Sequence, residues 1–351
     1  MQAARCCSCP IRFMPDPVDE NALIARFEST PIEAVVLRGS KPFTARVLAA
    51  APHLKVIAKN GAGVDSVDIE EATQRGIAVM VASGANADAV AEHSIALMLA
   101  LIRDLAGLDR KVRAGGWEGA GYQGRDFRGS RVGIVGFGSI GRATARMAAA
   151  LGADVIVHRR SAAACGSSSA GDFRIETDFD RLLADVDILS LHCPLTEETR
   201  GLIGARDLAL MKPGALLVNT ARGSVVDELA LIEALKTGHL GGAGLDTFAA
   251  EPIESGNALL QCPNAILTPR VAGVTRKAVI QVSTITATNV VDRILGRTLA
   301  RANLVNPDVP DGRGRERIMA RDVTIHAFLS NYADGHVDRA DPENNQPEVA
   351  R

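Results

Sequence analysis

Residues 131–151 read RVGIVGFGSIGRATARMAAAL. A short apolar run, Val132 to Val135, meets Gly136-Phe137-Gly138-Ser139-Ile140-Gly141, and an alanine-rich stretch with helical spacing follows. Strand, glycine-rich turn and helix thus come in immediate succession. The spacing Gly-x-Gly-x-x-Gly is weak alone and informative in this context. The first glycine permits the tight turn, the second lets backbone approach a pyrophosphate, and the third lets helix pack on strand. The first amides of the helix are then free to meet phosphate oxygens. Gly136, Gly138, Ser139, Ile140 and Gly141 are therefore expected to bind a dinucleotide.

The next strand, Val155 to Val157, ends in His158, Arg159, Arg160 and Ser161. An acid that holds the adenosine ribose hydroxyls usually stands there. Seventeen residues separate Gly141 from Arg159, which puts Arg159 in the acid's place. A carboxylate would repel a 2′-phosphate, whereas a guanidinium binds it through two parallel bonds. Arg159 and Arg160 thus predict NADP(H) in preference to NAD(H).

Outward from this unit the alternation continues. Ile188 to Leu191, Ala215 to Asn219, Ala243 to Leu245 and Ala265 to Leu267 are four more short apolar runs separated by helical stretches. Six such runs make a complete doubly wound sheet. Upstream, Ala34 to Leu37, Leu54 to Ala58 and Ile77 to Ala82 alternate with helices at Thr44 to Ala51 and Ile69 to Arg75, so a second parallel sheet is expected. Residues 88–114 read as one long helix, with Asp88 and Glu92 in its first turn and Arg110, Lys111 and Arg113 near its end, as the helix dipole favours. A further helix is expected over 275–296. Residues 161–171 read as a loose loop, and 307–351 as a mostly disordered tail with at best a short helix near 324–332.

The chain has 351 residues, a length that suits two domains. Its 47% apolar and 23% charged residues are ordinary for a globular protein, and a net charge of −2 offers no field for nucleic acid or an anionic membrane. Aromatics at 3% provide few stacking platforms for single strands. The longest apolar run, Ile95 to Ile102, falls far short of a membrane span, and no secretory signal is expected. Cys6, Cys7 and Cys9 cluster near the start, while Cys165, Cys193 and Cys262 are scattered. Cys6 and Cys9 lack the second pair or histidines of a zinc site, so no metal is expected and a reducing cytoplasm fits best.

Several further segments line up: KNGAGVDSVDI at 59–69, AVAEHSIALMLAL at 89–101, LHCPLTEETRGLI at 191–203, NTARGSVVDE at 219–228, GAGLDTFAAEP at 242–252 and LTPRVAGVT at 267–275. With GFGSIG they resemble the D-isomer-specific 2-hydroxyacid dehydrogenases, which include phosphoglycerate dehydrogenases and glyoxylate/hydroxypyruvate reductases. The likeness covers about residues 33–305. It implies two α/β doubly wound parallel-sheet domains with the active site between them. The substrate domain, flavodoxin-like, would comprise 1–86 and 276–306, and the Rossmann dinucleotide domain 87–275. It also implies a homodimer and a small 2-keto or 2-hydroxy acid as substrate.

Residue by residue, the resemblance implies that Arg222 clamps the substrate carboxylate and that the loop Asn60-Gly61-Ala62-Gly63 meets it through backbone amides. Glu251 matches the carboxylate partner of the catalytic base. Asp246 matches the acid that approaches the nicotinamide carboxamide. Cys193, Pro194, Thr199, Thr220, Ala221 and Gly273 fall on the cofactor-lining loops. Glu92, His93 and His192 read as structural.

One departure matters. Where the family has a histidine after Thr-Pro, this chain has Thr268-Pro269-Arg270. Arginine stays protonated and cannot give a proton and take it back. Loss of general acid/base catalysis costs about 10²–10⁴ in rate. Arg270 could instead polarise the carbonyl, or pair with Glu251 in a silent site. Or another residue could substitute, with His239 and Lys277 the nearest candidates by sequence. A second departure lies at the N-terminus, where Ile11 to Met14 is either a shortened first strand or marks a missing one, which would expose a sheet edge. Two hypotheses follow: an NADP(H)- or NAD(H)-dependent oxidoreductase, with glyoxylate, hydroxypyruvate or a 3-phosphoglycerate-like acid as substrate, and a catalytically silent dinucleotide sensor.

Overall fold

The computed structural model describes residues 11–14, 19–39, 41–117, 119–159, 173–309 and 325–328. Cys6, Cys7, Cys9, Arg160, the loop 161–171 and most of the tail lie outside the described residues.

The larger sheet is parallel throughout. Its strands are β5 (Arg131–Val135), β6 (Asp154–His158), β7 (Arg174–Glu176), β8 (Ile188–Leu191), β9 (Ala215–Asn219), β10 (Leu240–Leu245) and β11 (Ala265–Leu267), in the order β11-β10-β9-β8-β5-β6-β7. All six expected runs are strands, and β7 adds an edge. Helices cover both faces, so the central strands β8 and β9 are buried along their whole length. The chain runs outward from β5 to β7, then returns to β8 on the other side. Ligands bind in open α/β sheets at that reversal, outside the carboxyl ends of the strands.

The long helix expected over 88–114 is two helices, Ala87–Ile102 and Leu105–Arg113. Asp104 breaks it with a left-handed φ of 45°. Its carboxylate folds back over Gly107, where a Cβ would come within 2.4 Å of both oxygens. Asp favours such local turns over a helix interior.

The smaller sheet is also parallel, in the order β1 (Ile11–Phe13), β12 (Ile325–Phe328), β2 (Ala34–Leu37), β3 (Val56–Lys59), β4 (Ala78–Met80). Ile11–Phe13 is thus the shortened strand, not a gap. The helix expected near 324–332 is replaced by strand β12, which pairs with Ile11–Phe13 on one side and Ala34–Leu37 on the other. In the flavodoxin-like order 2-1-3-4-5 that second place belongs to the first strand of the chain; here the last strand fills it. The β-branched Ile325 and the aromatic Phe328 suit an extended ladder better than a helix. The helix Arg276–Ile294 packs on this sheet, held by Asn289 Nδ2 donating to Val81 O at 3.0 Å.

Candidate active site

The glycine turn is fixed by contact with the protein itself. Gly136 has φ 95°, and a Cβ on it would sit 2.6 Å from Cys193 N and His192 C. A Cβ on Gly141 would lie 2.0 Å from Gly136 O. Gly138 differs: nothing lies within 4 Å of its Cβ position. It is the N-cap of the helix Ser139–Ala150 and supplies no side-chain cap, which leaves the first amides open. An uncapped helix start facing open space fits a pyrophosphate.

Around it, Arg159 and Arg142 place their guanidinium carbons 5.3 and 5.0 Å from the Phe137 ring centroid. Arg142 was not singled out from the sequence; a cation one residue past the third glycine was the signal. His192 bonds Ser190 through Nε2 at 3.0 Å, while its Nδ1 is buried with no partner among the described residues. Burial lowers its pKa to about 4, so the ring is neutral at neutral pH. Cys193 is buried and its thiol is pushed up by desolvation. Thr199 Oγ1 donates to Pro194 O and accepts from Thr196 N, both at 2.7 Å, closing the loop after β8. Thr220 shares a buried 2.9 Å hydrogen bond with Ser94.

Asn219 shapes the turn that projects Arg222. It accepts from Ala221 N at 3.0 Å and donates to Arg222 O at 2.8 Å. Arg222 Nε donates to Asp65 at 2.7 Å and Nη1 to Ala221 O at 2.7 Å. Nη2 presses on Gly63, where a Cβ would be 1.6 Å away. The two sheets therefore meet through Arg222, the loop 60–63 and Asp65. Asn60 N donates to Leu37 O at 2.9 Å and Gly61 O accepts from Ala82 N at 3.0 Å, which fixes the loop's path, while Ala62 is exposed. Asp65 was missed as a partner although it lies in the quoted segment.

Arg270 Nη1 donates to Glu251 at 2.5 Å, and the other Glu251 oxygen accepts from Phe248 N at 3.2 Å. Gly223, next to Arg222, packs against the same turn; a Cβ on it would be 1.9 Å from Phe248 C. Arg222, Glu251 and Arg270 are thus brought to one cleft. Arg270 has a left-handed φ of 55°. Asp246 holds that loop: its buried carboxylate accepts from Thr268 Oγ1 at 2.7 Å and from Val271 N and Ala272 N at 2.9 Å. His93 Nε2 stands 3.0 Å from Thr268 Oγ1 and 3.6 Å from Asp246. Gly273 packs on Asn86, where a Cβ would be 2.6 Å from Nδ2. His239 sits at the opposite end of β10 and donates to Leu208 O at 3.0 Å, and Lys277 is exposed on the last long helix. Among the described residues, no hydrogen bond or ion pair joins either side chain to the loops that carry Arg222, Glu251 and Arg270.

Residues 95–272 match the family model described as D-isomer specific 2-hydroxyacid dehydrogenase, NAD binding domain. This chain belongs to that family. A D-3-phosphoglycerate dehydrogenase of Archaeoglobus fulgidus is 40% identical over 270 residues, 77% of this chain and 51% of that protein. A glyoxylate reductase of Thermococcus litoralis is 39% identical over 285 residues, 79% of this chain and 85% of that one. The chain thus spans about half the length of the phosphoglycerate dehydrogenases it matches. A solved glyoxylate reductase from Paecilomyes thermophila superposes with a TM-score of 0.75 at 30% identity, covering 86% of this chain and 99% of the other. The matched model places nicotinamide dinucleotide binding on the larger sheet, where the open cradle at Gly138 lies. Among the described residues no helix is long and apolar enough to cross a membrane, and no cluster of side chains suits a metal ion.

Proposed function

We propose that this dehydrogenase reduces a small 2-oxo acid, or oxidises the matching 2-hydroxy acid, with a nicotinamide dinucleotide. The observation that carries this reading is Arg222, turned by Asn219 and set against Gly63 with no room for a side chain between them. The dinucleotide supplies or accepts a hydride at the substrate C2. Arg222 and the amides of the loop 60–63 hold the carboxylate. Arg270, always charged, polarises the C2 oxygen and stabilises developing alkoxide charge. Asp246 keeps Arg270 in place through the two amides beyond it. The buried, neutral His192 and the loop 193–199 line the cofactor side without exchanging protons.

The dinucleotide preferred is NADP(H). Arg159 and Arg142 flank Phe137 beside the glycine turn, and two guanidiniums suit a 2′-phosphate. A homodimer through the larger-sheet domain accords with exposed Leu105, Val112 and Trp117 on and after the helix Leu105–Arg113. Light scattering reads the mass. The deciding experiment is a panel of glyoxylate, hydroxypyruvate and a phosphorylated analogue with NADPH and NADH, on wild type and Arg270→His. Wild-type turnover that falls in the variant supports an adapted site. Tighter NADH than NADPH binding refutes the coenzyme assignment.

The Arg270–Glu251 ion pair favours one second reading. A pair held at 2.5 Å ties up both groups, as in a silent dinucleotide sensor. Turnover at background in wild type and a large gain in Arg270→His would select it.

A further inference from the structure

We propose that Lys59 is the proton donor and acceptor for the substrate C2 oxygen, in place of the titrating side chain that residue 270 does not supply. The inference rests on the dehydrogenase reading above. Lys59 is the last residue of β3, immediately before the loop 60–63 that closes on Arg222. Its ammonium is steadied by a hydrogen bond to Gly39 O, and its backbone carbonyl accepts from Thr286 Oγ1 at 3.4 Å on the packed helix. The strand end is therefore fixed on two sides.

The surrounding charges favour proton release. Arg222 from the loop after β9 and Arg270 from the loop after β11 both act on the ammonium, opposed by Asp65 on its own loop. Arg38 follows Leu37, the register partner of Lys59 on β2. Burial is the largest cause, Arg270 the next, and together with Arg222 they lower the Lys59 pKa to about 8. A value near working pH is what general acid/base catalysis needs. The other titratable groups nearby are committed: Glu251 to Arg270, Asp65 to Arg222, Asp246 to the 271–272 amides, His192 to Ser190 and His93 to Thr268. Arg270 thus has two consequences at once. It removes the titrating group from its own position and makes the neighbouring lysine a better one.

In reduction, C2 gains the hydride pair from the reduced dinucleotide. The C2=O π pair moves onto oxygen, and that oxygen takes H⁺ from Lys59 Nζ. The neutral amine recovers its proton from water. Oxidation runs in reverse, with the amine taking the hydroxyl proton.

The test compares wild type, Lys59→Arg and Lys59→Met on the holoenzyme. Lys59→Arg keeps the charge and cannot exchange the proton. Reduction by wild type should fall as pH rises through about 8, and oxidation should rise there. Both variants should lose about 10²–10⁴ in kcat and the limb near pH 8, with KM little changed in Lys59→Arg. Circular dichroism and coenzyme titration check folding. A second readout needs no turnover: acetic anhydride labelling of Lys59, mapped by mass spectrometry, should be half-maximal near pH 8 and move toward 10.5 in Arg270→Met. A Lys59→Arg variant that keeps the rate, or a Lys59 labelling midpoint near 10.5 in wild type, overturns the proposal and leaves the dehydrogenase reading standing. Absence of wild-type turnover across the panel overturns both.

Discussion

The substitution Gly63→Ala tests the carboxylate clamp with the least chemistry changed. A Cβ there would lie 1.6 Å from Arg222 Nη2 and 2.9 Å from Cζ. To reach ordinary contact the fork must retreat by about 2 Å, and the 2.7 Å bond from Nε to Asp65 goes with it. The obstacle is the tip of a flexible side chain, so the fold loses little. Gly63 has no left-handed φ to defend, and the guanidinium is partly solvated. The functional loss is larger, because a misplacement of about 1 Å at a positioning group can cost about 10²-fold. That ratio corresponds to about 3 kcal/mol of lost transition-state binding. Steady-state kcat/KM for the best 2-oxo acid should fall by about 10²-fold. The coenzyme Kd by nicotinamide fluorescence and the Tm should move little, since Gly138 and Ser139 lie on the other sheet. Unchanged kcat/KM would show that Arg222 does not hold the substrate, and the clamp assignment would fail.

Gly141→Ala would put a Cβ 2.0 Å from the Gly136 carbonyl, a backbone atom that cannot swing away. Coenzyme binding should be lost with a large drop in Tm, read by fluorescence titration and calorimetry. His192 titrates at about 4 in the fold against 6.5 as its ordinary value. The unfolded chain therefore binds the extra proton first, so stability is full above pH 6.5 and falls between 6.5 and 4, by at most about 3 kcal/mol. Urea midpoints across that range should flatten in His192→Gln; a wild-type curve flat from pH 7 to 4 would contradict the buried neutral ring. Removal of residues 310–351 takes away β12 and both ladders it makes. The smaller sheet should lose hydrogen-exchange protection at Ala34–Leu37 while coenzyme binding persists.

The larger sheet was legible because each strand is a short apolar run buried on both faces, a pattern that tolerates little else. The breaks came where a local interaction outweighed the pattern. Asp104 ends a helix whose charge pattern continues past it, because its carboxylate folds over Gly107. The segment around Ile325–Phe328 does carry a strand period, Val323, Ile325, Ala327 and Leu329 at every second position, but it is short and set among charged and polar residues whose composition reads as a tail. The alternation marks a strand, but its two partners lie far away in the chain, and nothing local says which sheet or which place in it the strand takes. Of the site, Arg222, Glu251 and Arg270 were readable from motifs. Asp65 and Lys59 stood inside a quoted motif, but their value depends on which guanidiniums arrive from the other sheet.

The Arg270 loop explains why the site could change its chemistry without changing its frame. A non-glycine residue at φ 55° costs about 1 kcal/mol. Asp246 offsets this through two amides and a hydroxyl, none of which belongs to the side chain of residue 270. The backbone therefore delivers whatever side chain stands there to Glu251. With a titrating residue, Glu251 would tune a pKa. With arginine it only anchors a fixed charge, and the field of that charge lowers the pKa of Lys59. One substitution thus shifts the titrating centre from the loop after β11 to the end of β3, across the cleft that Arg222 and Asp65 already bridge.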